Sequence, residues 1–477
     1  MKLIKLLVAS GLALTLAGTA SATTTVLRIA GAATYRPPTQ KAIEDILKPG
    51  YVFGYNGSSR YKPNASIYSG TLASTNQPII IETYWTGDLA GVVDVAKRNT
   101  IVKWIKTDST TLSSLTTSGY SVPNASLSES GIPDVGVTVS YSTSSASTVA
   151  TSGATGRAAA AAILGAHLVD AGSPSSAGGA NAVGIAAFQW VLGRQSGSYP
   201  QPFTNITQQQ ANGLITNGYL PVSLFTGTNA DQYKYAFLAG RSQDAGARTV
   251  PFAEAQNGFG NPPQQYKLTF SGTSLTTQAD GVVTGGTNGT VTGLYLWPAN
   301  APLNTEPTIN WNQYGHSGYN LTSDLSNALS SLNPVTASSL TFGNSADSSD
   351  PTLAPSPISE VYFVGYNGVA DTASLVANGG KALSYNGVAY SPAAVKNGLY
   401  TLWSYAHLYY IGSGTYAISG NAKQAADDIA DKIFTTDAPT NSSGAVGTGN
   451  GDAGILLDSS VLVARPGVEG TPVYQNY

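Results

Sequence analysis

The sequence predicts an α/β fold, because short apolar strand patterns alternate with segments of helical spacing. Three strand–turn–helix units are recognisable, within residues 26–47, 78–98 and 134–168. This alternation is typical of parallel sheets covered by helices. A chain of 477 residues with 42% hydrophobic residues is also long enough for two or three domains with large cores.

The first unit has an apolar strand pattern at residues 26–30 and a small-residue turn at 31–35. Pro37 and Pro38 follow the turn and introduce the helical spacing of residues 40–47. Proline suits the first turn of a helix, because the N–H that it lacks has no partner within the helix there. We therefore expect a strand that leads directly into a helix.

The second and third units repeat this organisation. A β-rich run at 79–85 precedes a turn at 86–88 and helical spacing over 89–98, which ends in basic residues. An apolar strand is predicted at 134–140, and a helix built on alanines at 158–168.

The later part of the chain has weaker patterns. Alternation around glycine-rich turns predicts an antiparallel hairpin within residues 281–296. Residues 341–357 and 435–451 are predicted to be loops.

The amino-terminal residues 1–22 have the pattern of a secretory signal peptide. Lys2 and Lys5 supply positive charge, residues 6–17 form a short apolar stretch, and small residues precede a cleavage site after Ala22. The apolar stretch is shorter than the ~20 residues that span a bilayer. We expect an exported protein, either periplasmic or extracellular.

Composition excludes several classes of function. Charged residues make up only 10% of the chain and the net charge is -3, which excludes a nucleic-acid binder that depends on clustered Lys and Arg. The chain has no cysteine and three dispersed histidines, so we predict neither a metal site nor a cofactor. No nucleophile motif or pair of carboxylates is apparent, and an enzyme is not predicted. His407 lies among aromatic residues, and we expect it to be half-buried with its hydrogen bonds satisfied.

The connections from strand to helix are the candidate binding sites. The first N–H groups of a helix lack partners within the helix, and together with the helix dipole they attract anions. The candidate turns are residues 31–35, 86–91 and 240–249, and the last contains Arg241 and Arg248, whose guanidinium groups suit anionic oxygens. Taken alone, each turn is more often an ordinary α/β connection.

Taken in order, these turns and their surroundings resemble the type II periplasmic substrate-binding proteins, in particular the phosphate-binding component of phosphate ABC transporters. The matching segments span most of the mature chain and are residues 31–35, 84–91, 205–217, 241–247, 365–366 and 381–410. The resemblance implies an α/β fold with two lobes and a ligand in the cleft between them.

The same resemblance implies boundaries for the two lobes. A discontinuous first lobe would consist of residues 23–187 and 388–477, and the second lobe of residues 188–387. The chain would cross between the lobes near residues 182–189 and 382–388.

By the same resemblance, the ligand-binding residues are Thr34, Tyr35, Asp88, Arg241 and Gly246. Thr34 keeps a hydroxyl and an N–H group for an anion, and Arg241 keeps the guanidinium. Gly246 keeps a close approach of the backbone to the ligand.

Four positions depart from the family pattern. Asp88 stands where a serine is usual, and Ala245, Ala247 and Val139 stand in place of a serine, a threonine and an aspartate. Each lost charge-assisted hydrogen bond would weaken anion binding by ~1.5–3 kcal/mol. Asp88 is expected to cap the helix that follows it and to repel an anion.

These observations predict an exported solute-binding protein that captures phosphate, another small anion or a polar solute for an ABC transporter permease. Arg36 and Arg248 are candidate substitute donors for such a ligand. The alternative is a ligand-free relative that self-associates as an extracellular or surface structural protein. The low charge and the 27 tyrosines favour that alternative.

Overall fold

The computed structural model describes residues 24–57, 59–85, 87–142, 144, 168–172, 181–193, 202–241, 245–257, 264–271, 276–277, 283–284, 290–296, 335–336, 340–343, 351–438, 454–457, 460–465 and 469–475. The strands in these ranges are β1 (Thr25–Gly31), β2 (Val52–Gly57), β3 (Pro63–Thr71), β4 (Pro78–Tyr84), β5 (Ile101–Ile105), β6 (Tyr120–Ser121), β7 (Leu127–Gly131), β8 (Val135–Thr138), β9 (Leu168–Asp170), β10 (Gly184–Leu192), β11 (Asn205–Ile206), β12 (Tyr219–Pro221), β13 (Lys234–Leu238), β14 (Tyr266–Ser271), β15 (Thr276–Thr277), β16 (Val283–Thr284), β17 (Thr290–Leu296), β18 (Val335–Thr336), β19 (Thr341–Gly343), β20 (Glu360–Gly368), β21 (Lys381–Ala382), β22 (Ser384–Tyr385), β23 (Trp403–Ile411), β24 (Ile455–Leu456), β25 (Val463–Ala464) and β26 (Tyr474–Gln475).

The α-helices in the same ranges are α1 (Arg36–Ile46), α2 (Asp88–Lys97), α3 (Ser109–Ser114), α4 (Gln208–Asn217), α5 (Ser223–Thr226), α6 (Gly246–Glu254), α7 (Val369–Ala377), α8 (Pro392–Lys396) and α9 (Gly420–Lys432).

One large sheet organises the described residues. Eleven of its strands follow one another in the order β12-β13-β20-β10-β23-β8-β1-β4-β3-β2-β6. Strand β10 pairs with β20 through residues 188–192 and with β23 through residues 184–187, and β23 also pairs with β8. The two central strands β10 and β23 therefore join two groups of strands. The first group is β8-β1-β4-β3-β2-β6, and the second group is β20-β13-β12.

Strand β1 lies at the point where the strand order reverses. It pairs in parallel with β4 on one side and with β8 on the other, although β4 and β8 both follow it in the chain. In open α/β sheets, a crevice forms outside the carboxyl ends of the strands at such a point. The turn that follows β1 therefore lies at the natural binding position of this sheet.

The predicted α/β class is confirmed in the described residues, and the two-lobed type II arrangement remains a prediction. Strands β1, β4 and β8 and helices α1 and α2 form where the three units predicted them. Pro37 and Pro38 lie in the first turn of α1, as their missing N–H groups allow. The lobe boundaries remain predictions.

Two local predictions were wrong. The hairpin within residues 281–296 does not form, because β16 pairs with β15 and β17 pairs with β14. Val291 and Leu294 of β17 are buried in the same core as Leu268 of β14. A local hairpin would not bury these side chains in that core. The predicted loop at 341–357 begins with the strand β19, which pairs with β17.

The crossing predicted near residues 382–388 remains a prediction, and the structure shows only how the strands around it pair. Residues 382–388 belong to a region where β21 pairs with the end of β10 and β22 pairs with β11. The strand that pairs with β8 of the first group is β23. The sequence does not mark β23 clearly as a strand, because β23 is buried along its whole length and has no alternation of polar and apolar residues.

Two predictions lie wholly or mainly outside the described residues. They are the signal peptide at 1–22 and the helix at 158–168, of which only Leu168 is described, as the first residue of β9. No helix in the described ranges combines the length and the apolar character needed to cross a membrane.

Candidate functional site

The turns after β1 and β4 lie side by side at the carboxyl ends of these strands. The Gly87 N–H donates to the Gly31 carbonyl over 3.1 Å. A Cβ at Gly91 would lie only 2.4 Å from the Gly31 Cα, so α2 packs directly on the end of β1. Gly87 has φ +135°, in the region that favours glycine, and this conformation starts α2.

Asp88 does not cap α2, which corrects the sequence-based expectation. Gly87 is the residue that precedes the helix, and Asp88 is its first helical residue, without a side-chain cap. The Asp88 carboxylate accepts instead from the Val139 N–H at 2.6 Å and from the Ser140 hydroxyl at 2.8 Å. A carboxylate therefore lies against Val139, which follows β8, although Asp88 itself follows β4 in the chain.

Helix α6, which follows β13 of the second group, also begins beside Val139 and Asp88. A Cβ at Gly246 would lie 2.3 Å from the Val139 Cγ2 and 3.0 Å from Asp88 Oδ2, so only glycine permits this approach. Ala245 precedes the helix and offers no side-chain cap. The N-terminus of α6 thus lies beside the carboxylate of Asp88, and a negative charge near the start of a helix is stabilised by the helix dipole.

The carboxylate of Asp88 is only 3% exposed. Burial raises the pKa of Asp88 to about 6, and the hydrogen bonds from Val139 and Ser140 and the proximity of the His407 ring oppose this rise. Loss of water disfavours the charged form, whereas hydrogen-bond donors favour it. Asp88 therefore changes protonation in mildly acidic solution.

Thr34 and Tyr35 lie in a short 3-10 helix, Ala33–Tyr35, that leads into α1. Thr34 is half-buried, and its hydroxyl makes no hydrogen bond within the described residues. Pro37 and Pro38 remove two of the N–H groups that the start of α1 would otherwise offer to an anion. Tyr35 is fully buried in the core and serves packing there.

Arg241 follows β13 and is positioned through its backbone. Its N–H donates to the Tyr366 hydroxyl at 3.2 Å, and the Gln265 amide donates to its carbonyl at 2.8 Å. The Nε of Arg241 is buried and has no hydrogen-bond partner in the described part of the chain. This is a donor that a ligand oxygen would satisfy.

The substitute donors Arg36 and Arg248 have partners within the protein. Arg36 donates to the Pro63 carbonyl at 2.8 Å, and burial lowers its pKa to about 10 while Asp371 raises it. Arg248 is buried with its guanidinium 5.2 Å from the centre of the Phe252 ring.

His407 differs from the expectation of a half-buried, satisfied ring. It is completely buried, and Nδ1 lies 2.9 Å from the Asp170 carboxylate, whereas Nε2 has no hydrogen-bond partner among the described residues. It is opposite Thr138 on β8 and beside the ring of Tyr141, at 4.6 Å between ring centres. The buried carboxylate of Glu469 accepts from the Tyr141 N–H in the same region.

Of the five predicted site residues, the structure brings Asp88 and Gly246 together and places the Thr34 turn beside the start of α2. No hydrogen bond or ion pair of the described residues joins Arg241 to these three. Sequence reasoning missed Ser140, although a hydroxyl at the carboxyl end of a predicted strand was a usable signal. In the part of the chain that the structure describes, no group of three ligating side chains could hold a metal ion.

No family model matches this chain, and no curated protein matches it. Solved structures that are similar to it include an ABC-type phosphate transport receptor from Vibrio cholerae, with 10% identity and a TM-score of 0.35 over 85% of this chain and 93% of that one. A protein from Clostridium perfringens assigned to phosphate ABC transport, with bound phosphate, has 11% identity and a TM-score of 0.35 over 86% and 96%. PstS from Borrelia burgdorferi has 9% identity and a TM-score of 0.31 over 86% and 93%.

Proposed function

We propose that this chain is an exported solute-binding protein that holds a small anion or polar solute where the turns after β1, β4 and β13 meet. The observation that carries this proposal is the approach of Asp88 and Gly246, which begin two helices from different groups of strands. Their meeting point is beside β1, where the strand order reverses and where ligands of open α/β sheets bind.

The proposed roles differ from residue to residue. Arg241 supplies a guanidinium whose Nε has no partner among the described residues, Thr34 supplies a half-buried hydroxyl, and Gly246 supplies backbone N–H groups. Asp88 restricts the charge of the solute, because an ionised carboxylate at this point opposes an anion and its protonated form does not. Tyr35 supports the turn through packing.

We further propose that the bound solute is passed to the permease of an ABC transporter, and that the protein acts in the periplasm or outside the cell. The ordered motifs and the signal-peptide pattern at residues 1–22 support this role.

Calorimetric titration tests the proposal. Phosphate, sulfate and glycerol phosphate are titrated into the wild-type protein and into Arg241→Ala at pH 5 and pH 8. We expect at least one of these anions to bind more tightly at pH 5, and Arg241→Ala to weaken binding by tenfold or more, since a charge-assisted hydrogen bond is worth ~1.5–3 kcal/mol.

Arg98→Ala is the matched control. Arg98 is also half-buried, but its guanidinium bonds the Pro133 carbonyl and lies over the ring of Tyr416, at the other end of α2. The control should bind as the wild type does. The proposal is wrong if no anion produces heat at either pH, or if Arg241→Ala and Arg98→Ala behave alike.

A further inference from the structure

Glu469 is a buried carboxylate that the proposed function has not used. The residue is only 4% exposed. Its carboxylate accepts from the Tyr141 N–H over 2.5 Å and from the Ser144 hydroxyl, and both of these residues follow β8 of the first group of strands. Tyr141 lies 328 positions earlier in the chain. A late segment of the chain is therefore bonded to the segment after β8 through one side chain.

The residues around Glu469 also contact the end of α6, and we call residues 469–471 the strap. A Cβ at Gly470 would lie only 2.3 Å from the carbonyl oxygen of Ala253 in the last turn of α6, and Gly470 has φ +76°, so the strap requires glycine here. The Gln256 side chain donates to the Gly470 carbonyl over 2.7 Å. The strap therefore lies between the end of α6 and the segment after β8.

The charged groups near Glu469 are paired with other residues. Arg465 bonds Glu254 over 3.0 Å, and His407 Nδ1 lies 2.9 Å from the Asp170 carboxylate. Within the described ranges, no ion pair neutralises the Glu469 carboxylate. The titratable and charged groups around it are the hydroxyls of Tyr141 and Tyr409, the pair His407 and Asp170, and the pair Arg465 and Glu254.

A buried carboxylate without a paired cation is more stable in its protonated form. Burial raises the pKa of Glu469, and the hydrogen bonds from Ser144 and Tyr141 and the proximity of His407 oppose this rise. A Glu469 side chain that left this position for water would return to the ordinary pKa of a glutamate. The contact with Tyr141 and Ser144 is therefore favoured in acid and weakened as the pH rises.

We propose that Glu469 is a pH-dependent latch, which fastens the strap and the end of α6 to the segment after β8 in acid and releases them as the pH rises. Helix α6 follows β13 of the second group, so the latch joins the two groups of strands at a second point, apart from the contact of Gly246 with Asp88. The latch does not depend on the proposed function. It acts on the helix whose start borders the candidate site.

Hydrogen exchange of the Tyr141 amide tests this proposal, because that N–H group donates directly to Glu469. NMR spectra of the ligand-free wild type give the exchange rate at pH 5 and at pH 8, and the intrinsic rate at each pH divided by this rate is the protection factor. We expect the protection factor to fall at least threefold from pH 5 to pH 8. Each unit of pKa difference between the fastened and the released carboxyl changes their equilibrium about tenfold.

Three variants separate the charge of Glu469 from its hydrogen bonds. Glu469→Gln keeps an acceptor for the Tyr141 N–H and cannot ionise, so its protection factor should agree within twofold at the two pH values. Glu469→Ala removes the acceptor and should give low protection at both. Ser144→Ala removes a donor that favours the ionised form, so protection should be lost at a lower pH than in the wild type, and this variant replaces Glu469→Ala if the latter does not fold.

Asp88→Asn is the matched control. Asp88 is another buried carboxylate beside the same segment, bonded to Val139 and Ser140, and its replacement should leave the fall at Tyr141 in place. Equal wild-type protection factors at pH 5 and pH 8 overturn the proposal. It is also overturned if Glu469→Gln shows the same fall as the wild type, or if Asp88→Asn abolishes that fall. These measurements use no solute, so their failure leaves the proposed function intact, and a protein that binds no anion can still have the latch.

Discussion

At the scale of single residues, Asp88 is the most informative side chain of this protein. Its carboxylate is buried between the end of β8 and the start of α6, and it bonds to Val139 and Ser140. This carboxylate approaches Val139 from the start of α2, 51 residues earlier in the chain. The apolar side chain at position 139 therefore does not reveal the charged group beside it.

The raised pKa of Asp88 predicts a pH dependence of stability. The Asp88 carboxyl keeps its proton up to a pH of about 6 in the folded state, whereas it releases this proton near pH 4 in the unfolded chain. The folded state is therefore stabilised relative to the unfolded state in acid. The contribution of Asp88 to the free energy of unfolding should fall by roughly 3 kcal/mol at most as the pH rises from about 4 to about 6.5. Urea unfolding of the wild type and Asp88→Asn over this range measures it, and the variant should lack this fall.

Asp108→Asn is the control, because the pKa of Asp108 is lowered in the folded state whereas that of Asp88 is raised. Asp108 caps α3, and the hydrogen bond from the Thr111 N–H lowers its pKa. Its contribution should be present at neutral pH and lost as the pH falls below about 4. Identical pH profiles of the wild type and Asp88→Asn would contradict the assignment of a buried, proton-binding carboxylate at Asp88.

At the scale of elements, Arg465 fixes α6 to the central strands. It is 1% exposed, and its guanidinium bonds Glu254 at the end of α6 over 3.0 Å and the Thr401 carbonyl over 2.6 Å. It also lies 4.8 Å from the centre of the Trp403 ring at the start of β23. The helix whose N-terminus meets Asp88 is therefore held at its other end by a buried ion pair.

Removal of this ion pair should destabilise the protein strongly. Arg465→Met leaves the buried Glu254 carboxylate without its cation, and we expect a loss of about 3–5 kcal/mol in the free energy of unfolding. The double variant Arg465→Met, Glu254→Gln should recover part of that loss. Urea denaturation of the three proteins measures both effects.

An exposed ion pair provides the comparison. Lys423 and Asp427 lie one turn apart on α9, and Lys423 is 48% exposed. Lys423→Met should cost less than about 1 kcal/mol. Equal losses for Arg465→Met and Lys423→Met would mean that Arg465 does not anchor α6.

At the scale of the whole molecule, strands β10 and β23 lie in the middle of the large sheet and connect its two groups of strands. All nine residues of β10 and all nine of β23 are buried, and each strand pairs with neighbours on both sides. Neither group can unfold without exposing a strand that the other group also needs.

This arrangement predicts a single cooperative unfolding transition. Hydrogen exchange measured by mass spectrometry at increasing urea should show that peptides covering β4 and β13 lose protection at the same denaturant concentration. Separate midpoints would mean that the two groups fold independently and that β10 and β23 do not couple them.

The local order of strands and helices was accessible from the residues alone. The β1–α1 and β4–α2 units have strong periodicity, proline in a first helical turn and glycine in the connecting turn, and each of these signals acts within a few residues. The alternation of units also predicted the α/β class. The pairings of β17 and β23 were not predictable in this way, because both depend on which distant strand buries an apolar face.

The tertiary structure alone decided the arrangement of the candidate site. Asp88 meets a backbone N–H 51 residues away and the start of a helix much later in the chain. Local sequence patterns report the conformation of a segment and carry no information about which distant groups it meets. Hydrogen bonding and the loss of water around a side chain depend on those distant groups, and they determine which residues of this protein are available to a ligand.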